Sequence, residues 1–167
     1  VLFRSSGGAV AANGELVLSL ERMNKALAYD AVDRTLVVQA GMPLEAVHNA
    51  ALDHGLIYPV DFAARGSCTI GGNIATNAGG IRVIRYGNTR EWIAGLKVVT
   101  ASGELLELNK GLIKNSSGYD FRQLLIGSEG TLGVIVEATV KLTDPPPASN
   151  VMLLALPSFE VLMQVFA

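Results

Sequence analysis

The sequence predicts an α+β fold: a small strand–helix–strand unit, then a mixed or antiparallel sheet flanked by helices. Three observations carry that reading. Residues 35–60 hold an amphipathic helical stretch between two apolar runs, which makes one compact α/β unit. Residues 95–142 hold a hairpin pattern and the longest strand candidate of the chain. Asp144-Pro145-Pro146-Pro147 then ends the pattern, because proline lacks the donor a ladder needs and stiffens the chain into a polyproline-like linker.

Residues 1–5 carry no usable pattern and read as a truncated amino terminus or a cloning or assembly scar. Residues 15–20 are expected as a short strand and 35–40 (TLVVQA) as another, with the polar crossing Arg22-Met23-Asn24-Lys25 between them. The helix spans 41–55. Pro43 suits its first turn, where a missing N–H costs nothing, and Gly55 suits the left-handed position past its end. Leu44, Val47, Ala51 and Leu52 give it one apolar face, and 56–60 is the third strand candidate. Over 95–108 (GLKVVTASGELLEL), alternation on both sides of Ser102-Gly103 predicts a hairpin with a two-residue turn. Residues 120–126 predict a short helix with Asp120 as N-cap and Gly127 past its end. Residues 131–142 (TLGVIVEATVKL) predict a long strand. The division is therefore a first domain over 1–143, a Pro-rich linker over 144–150, and the start of a second domain over 151–167. In that last piece, 151–156 is a strand candidate and Ser158 caps a helix; so small a unit cannot bury its own apolar faces.

Composition excludes several classes. The 167 residues are 50% hydrophobic and 17% charged, too apolar for disorder. The longest apolar stretch, 151–156, falls far short of the roughly 20 residues a bilayer helix needs. A net charge of −2 gives no electrostatic footprint for nucleic acid. One cysteine makes no intramolecular disulfide and no signal peptide opens the chain, so the expected compartment is cytoplasmic.

Eighteen glycines in 167 residues is a clear excess over the average of about 7%, and they are unevenly placed. Gly66, Gly71, Gly72, Gly79 and Gly80 lie in GSCTIGGNIATNAGG, among small or short polar residues. Such a segment brings backbone N–H groups close to a ligand. A helical turn starting after Gly72 would also offer free N–H groups to a phosphate. A loop needing several left-handed turns accounts for the same glycines without any ligand. A second cluster, Gly127-Ser128-Glu129-Gly130-Thr131-Leu132-Gly133, precedes a strand and spaces its glycines by three, so it is not the dinucleotide fingerprint that follows a strand and opens a helix. No phosphate-binding P-loop motif exists. His48 and His54 stand six apart on one helix, unlike a zinc pair four apart, and read as surface residues; no metal site is expected. Cys68 reads as a packed thiol. The carboxylates Glu45, Asp53, Asp61, Glu91, Glu104, Glu107 and Asp120 are scattered and make no acid–base pair.

Taken together, Pro59-x-Asp61, GSCTIGGNIATNAGG and Arg85-Tyr86-Gly87 resemble the FAD-binding domain of FAD-linked oxidases, the vanillyl-alcohol oxidase and p-cresol methylhydroxylase superfamily. GLKVVTASGELLEL, the 114–120 stretch KNSSGYD and IGSEGTLGVIVEATVKL continue the match in order, so the resemblance covers roughly 6–147. Within the superfamily it is nearest the flavin-dependent D-2-hydroxyacid dehydrogenases, which act on D-2-hydroxyglutarate, D-lactate or glycolate.

The resemblance implies that Ser67, Cys68, Thr69, Ile70, Gly71 and Gly72 wrap a noncovalent FAD, with Thr76, Asn77 and Gly80 following around it. It implies that the block from Glu129 brings its backbone against the flavin, with Gly133, Val134 and Ile135 nearest. A flat ring stacking close to the chain would account for glycine at 133. Ser6-Gly7-Gly8-Ala9 matches only the tail of the family's diphosphate loop, and no histidine sits in the matched loops to attach the flavin covalently. The reaction implied is oxidation of a small D-2-hydroxy acid to the 2-oxo acid by hydride transfer to flavin N5, with catalytic residues in a cap domain of which 151–167 is only the opening. The electron acceptor is undetermined, and peripheral membrane association of the intact enzyme is compatible with the pattern. Arg82, Arg85 and Arg90 are candidates for anion contact, against the commoner solvated or structural use of such residues. Two further readings stand beside this one: a cofactor-binding module without catalysis, and an FAD-linked oxidase of another alcohol.

Overall fold

A turn built without glycine opens the sheet. In the computed structural model, which describes residue 11, residue 14, 16–147 and 152–166, strand β1 (Ala26–Asp30) returns as β2 (Thr35–Gln39). The Asp30 carboxylate makes the turn by accepting from the amides of Val32 and Asp33 at 2.8 and 2.9 Å. Arg34 closes it at a φ of +51°, where glycine would be expected. Strand β1 was not expected. The reason is that its turn carries neither Gly, Pro nor Asn. The strand expected at 15–20 is a correction in the other direction, since no strand is assigned over the described residues 16–20.

Helix α1 (Leu44–Leu52) buries Leu44, Val47 and Ala51 and leaves Leu52 exposed, with Pro43 as its N-cap residue and Gly55 left-handed beyond its end. The strand expected at 56–60 reduces to a single bridge between Ile57 and Thr143. Leu56, Tyr58 and Val60 are buried under α1, so their apolar pattern reports burial rather than pairing, and Pro59 has no donor to add. Two short helices follow, α2 (Ile70–Ala75) and α3 (Val83–Tyr86), then a 3-10 turn at Thr89–Trp92.

Strands β3 (Ile93–Val99) and β4 (Leu105–Leu108) form the expected hairpin, but its turn differs. Thr100 and Glu104 pair through backbone and hydroxyl bonds, leaving three residues, 101–103, with Gly103 left-handed at φ +83°. The Thr100 hydroxyl replaces the tighter closure that Ser102-Gly103 suggests. A 3-10 turn at Asn109–Gly111 leads on to helix α4 (Arg122–Leu125). This helix is shorter than expected. Phe121 is its N-cap residue, because the Asp120 carboxylate is drawn onto Arg122. Strand β5 (Val134–Lys141) completes an antiparallel sheet ordered β1-β2-β5-β3-β4. Helix α5 (Phe159–Phe166) follows Ser158, whose hydroxyl accepts from Val161 N, whereas 152–156 form no strand.

One irregularity aims the sheet at the site. Opposite β3 the register shifts between Lys97 and Val98, so that Lys97 faces Glu137 and Val98 faces Ile135. Val136 is the extra residue. This bulge lets both Ile135 and Ala138 face the core despite being three apart. Their layer also holds Leu36, Val38, Leu96, Val98 and Val140, each worth about 1.5–3 kcal/mol when fully buried.

Candidate functional site: a glycine-lined groove

Helix α2 ends with its carbonyls turned toward the following chain, where Asn77 N–H reaches Ile74 O but nothing local reaches Ala75 O. The second glycine segment docks onto both carbonyls. Gly127 N–H donates to Ile74 O at 3.1 Å, and Glu129 N–H donates to Ala75 O at 2.8 Å. Glu129 adopts a φ of +53° to do so. Two segments more than fifty residues apart in sequence are thereby stitched backbone to backbone.

Between them lies a groove of about 350 Å³. Gly71, Gly72 and Thr69 form one side, and Gly130, Gly133, Val134 and Ile135 the other. Leu16, Leu18 and Leu20 close it from the segment before β1. That segment crosses tightly over the start of α1, where a Cβ on Gly41 would stand 1.8 Å from Leu20 O. Among the described residues of the lining, Glu21 is the one ionisable group and Thr69 the one hydroxyl.

Six of the residues implied for the cofactor therefore come together: Thr69, Gly71, Gly72, Gly133, Val134 and Ile135. The others stand behind them. Ser67 donates to Ala64 O at its own turn, while Cys68 and Ile70 are buried in the core. Thr76 caps α2 by donating to Gly72 O, and Asn77 accepts from Arg90 N. Gly80 lies against the Asp61 backbone, where a Cβ would meet Asp61 O at 2.1 Å. Glu129 contributes its backbone to the stitch. The expected Ser6-Gly7-Gly8-Ala9 contact lies outside the described residues.

Two physical reasons given by the sequence are corrected. Helix α2 starts after Thr69, not after Gly72, and its first two N–H groups are already spent: Ile70 donates to Met42 O and Gly71 to Ala40 O. Only Gly72 N–H of that turn meets no backbone carbonyl among the described residues. Gly133, for its part, is required by the protein itself, since a Cβ there would lie 2.7 Å from Val98 Cγ1. Leu16, Leu18, Leu20 and Gly41 were missed. The leucines carry a strand-like alternation, and Gly41 reads equally well as a helix start.

None of the three arginines lines the groove. Arg82 stands 3.9 Å from Asp61, Arg85 packs over the Tyr86 ring, and Arg90 turns inward onto carbonyls. His48 is half-buried with Nε2 at 2.9 Å from Val60 O, not a surface residue, whereas exposed His54 stacks on Tyr29. Among the described residues no cluster of three His, Cys, Asp or Glu could hold a metal, and no helix is long and apolar enough to cross a membrane.

The groove fits part of an FAD. Its walls are apolar, and Gly72 N–H and Thr69 supply the few polar groups such a site uses, whereas Cβ atoms at Gly71 and Gly133 would point into the protein at Ala40 and Val98. Its size suits a ring system rather than a whole dinucleotide.

Comparison with known proteins agrees. A family profile described as FAD binding domain matches residues 4–109. A D-2-hydroxyglutarate dehydrogenase of Xanthomonas citri pv. viticola is 85% identical over 97% of this chain and 34% of its own length. The mitochondrial D-2-hydroxyglutarate dehydrogenase of Bos taurus is 46% identical over 96% of this chain and 29% of its own. A D-lactate dehydrogenase of Anaerostipes hadrus is 43% identical over 89% and 31%. The chain thus spans about a third of the length of these curated relatives. A solved structure of alkyldihydroxyacetonephosphate synthase superposes with a TM-score of 0.67 at 31% identity, covering 77% of this chain and 23% of that one. Matched over most of its first 109 residues and folded around a groove that suits the cofactor, the chain belongs to the FAD binding domain family.

Proposed function

We propose that this chain is the FAD-binding part of a flavoprotein dehydrogenase that oxidises a D-2-hydroxy acid to the 2-oxo acid, with D-2-hydroxyglutarate as substrate ahead of D-lactate and glycolate. The convergence of the 69–72 and 130–135 backbones on one groove carries this reading. The names of the relatives at 85% and 46% identity favour D-2-hydroxyglutarate. Thr69, Gly71, Gly72, Gly133, Val134 and Ile135 would hold the flavin noncovalently, while Ser67, Cys68, Ile70, Thr76, Asn77, Gly80 and Glu129 shape their backbone. When bound, the FAD supplies the acceptor, at N5, for the hydride leaving the substrate α-carbon.

The chain's own contribution is positioning and water exclusion. The apolar walls keep water from the ring faces. Among the described residues of the lining, nothing except exposed Glu21 could take the hydroxyl proton. That role belongs, in this reading, to a cap domain of which 151–167 is the opening, after a 144–150 linker and a 1–143 cofactor domain. The same lack of ionisable groups favours a second reading for the chain by itself: a cofactor module without chemistry of its own.

The test uses protein extended to the length of its relatives. FAD is added, the visible spectrum recorded, and D-2-hydroxyglutarate, D-lactate and glycolate are supplied in turn without oxygen. Bleaching fastest with D-2-hydroxyglutarate is the expected result. A yellow protein that no 2-hydroxy acid bleaches refutes the dehydrogenase reading, and a protein that stays colourless refutes the cofactor reading.

A further inference from the structure

Arg90 donates to neutral groups of the protein, at the end of the first glycine segment, on helix α4 and on the residue that precedes the second glycine segment. The 3-10 turn that carries it is fixed by Thr89, fully buried, whose amide and hydroxyl both donate to Ala78 O at 3.1 and 2.7 Å. Arg90 N–H then donates to Asn77 Oδ1 at 3.0 Å, holding the end of the first glycine segment. Its guanidinium reaches the other way. Nη1 donates to Gln123 O and Oε1 at 2.9 and 2.6 Å, and Nη2 donates to Ile126 O at 2.7 Å.

Ile126 is the residue before Gly127, whose N–H completes the stitch to Ile74. Gly127 lies beside both: a Cβ built there would stand 3.4 Å from Arg90 Nη2 and 3.5 Å from Asn77 Cβ. No carboxylate within ion-pair distance competes for this arginine among the described residues. Charged donors to carbonyls are about twice as strong as neutral ones, and the planar fork reaches several acceptors that an ammonium on a lysine stem cannot reach together.

We propose that Arg90 is a positioning residue for the flavin site: through Asn77 and Ile126 it sets the spacing between the 69–77 and 126–135 segments, and so the width of the groove. The proposal rests on the FAD reading of that groove. It also predicts that the charge of Arg90 matters less than its shape.

The decisive variant is Arg90→Lys in the relative-length protein, with Arg85→Lys as a control that only packs on Tyr86. FAD affinity is measured by fluorescence titration, and amide hydrogen exchange is followed over 126–133. In Arg90→Lys, FAD Kd should rise about tenfold or more, and the Gly127 and Glu129 amides should exchange faster, with no such change in Arg85→Lys. Millimolar guanidinium ion should restore FAD binding to Arg90→Ala where methylammonium does not. A folded Arg90→Lys with wild-type FAD affinity and unchanged exchange overturns the proposal. Should the Arg90 variants not fold, Gln123→Ala decides, with about a threefold rise in Kd expected and an unchanged Kd overturning it. If wild type takes up no FAD, the cofactor reading fails while exchange at Gly127 and Glu129 in the FAD-free protein still judges Arg90: faster in Arg90→Lys upholds the tie, unchanged refutes it.

Discussion

Val98 occupies the space a side chain on Gly133 would need: a Cβ at 133 stands 2.7 Å from Val98 Cγ1, with the Val99 carbonyl oxygen at 3.0 Å. Val98 is fully buried and cannot swing away. Gly133→Ala is therefore expected to cost about 1–3 kcal/mol in the cofactor-free protein. Urea denaturation without FAD measures this. An unchanged midpoint would return the glycine to the cofactor's account.

Val134 separates groove from scaffold more cleanly. It lines the groove, is half-buried, and pairs with Val99 in the ladder. Val134→Phe keeps a strand-forming residue while filling the space beside the glycines. Stability without FAD should change by less than about 1 kcal/mol, and FAD Kd should rise about tenfold or more. Equal affinities for variant and wild type in isothermal titration would place the flavin elsewhere.

Much of this was legible in the sequence because glycine and periodicity report local geometry. The helix at α1, the hairpin of β3 and β4 and the strand β5 follow from residues that punctuate or alternate, whereas the meeting of the two glycine segments follows from the family resemblance. What was illegible depends on long-range pairing. Strand β1 hides behind a turn made by the Asp30 carboxylate and a left-handed Arg34. The run at 56–60 looks like a strand because it is apolar and almost wholly buried, yet its ladder is a single bridge. Arg90 gives no local signal, since its acceptors lie 33 and 36 residues away.

Tyr58 is buried to 2% exposure, and its hydroxyl lies beside that of Thr89 without a well-formed hydrogen bond, because the Thr89 hydroxyl donates to Ala78 O instead. Burial pushes its pKa well above the phenol range, an effect the neighbouring Thr89 hydroxyl offsets only in part. An unpaired buried hydroxyl costs about 1–3 kcal/mol, so Tyr58→Phe should leave stability unchanged or raise it by about 1 kcal/mol. The pH dependence has a definite sign. A phenol whose folded pKa is raised loses its relative stabilisation only as pH climbs past the unfolded value of 10. Tyr58→Phe should therefore flatten the alkaline limb of the stability curve above that pH. A variant destabilised at neutral pH would reveal a partner for the hydroxyl.

Asp120 and Arg122 govern the approach to the second glycine segment. The Arg122 guanidinium donates to both oxygens of Asp120, at 2.8 and 2.7 Å, and to the carbonyls of Ile93 and Ala94. The hydrogen bond from Arg122 is the main reason the Asp120 carboxyl is held below its ordinary pKa of 3.8, burial opposing it. A depressed carboxyl contributes stability that is present above the unfolded pKa and is lost as pH falls through the folded one. The loss should therefore begin near pH 4 and deepen below it. Because Asp120 is 40% exposed, salt should weaken the contribution. Thermal melts of wild type and Asp120→Asn between pH 2.5 and 6 read the difference directly. The two curves should converge on acidification and separate above about pH 4, with the gap narrowing in 1 M salt. A gap constant across that range would mean that Asp120 acts only through the geometry of its turn and not through its charge.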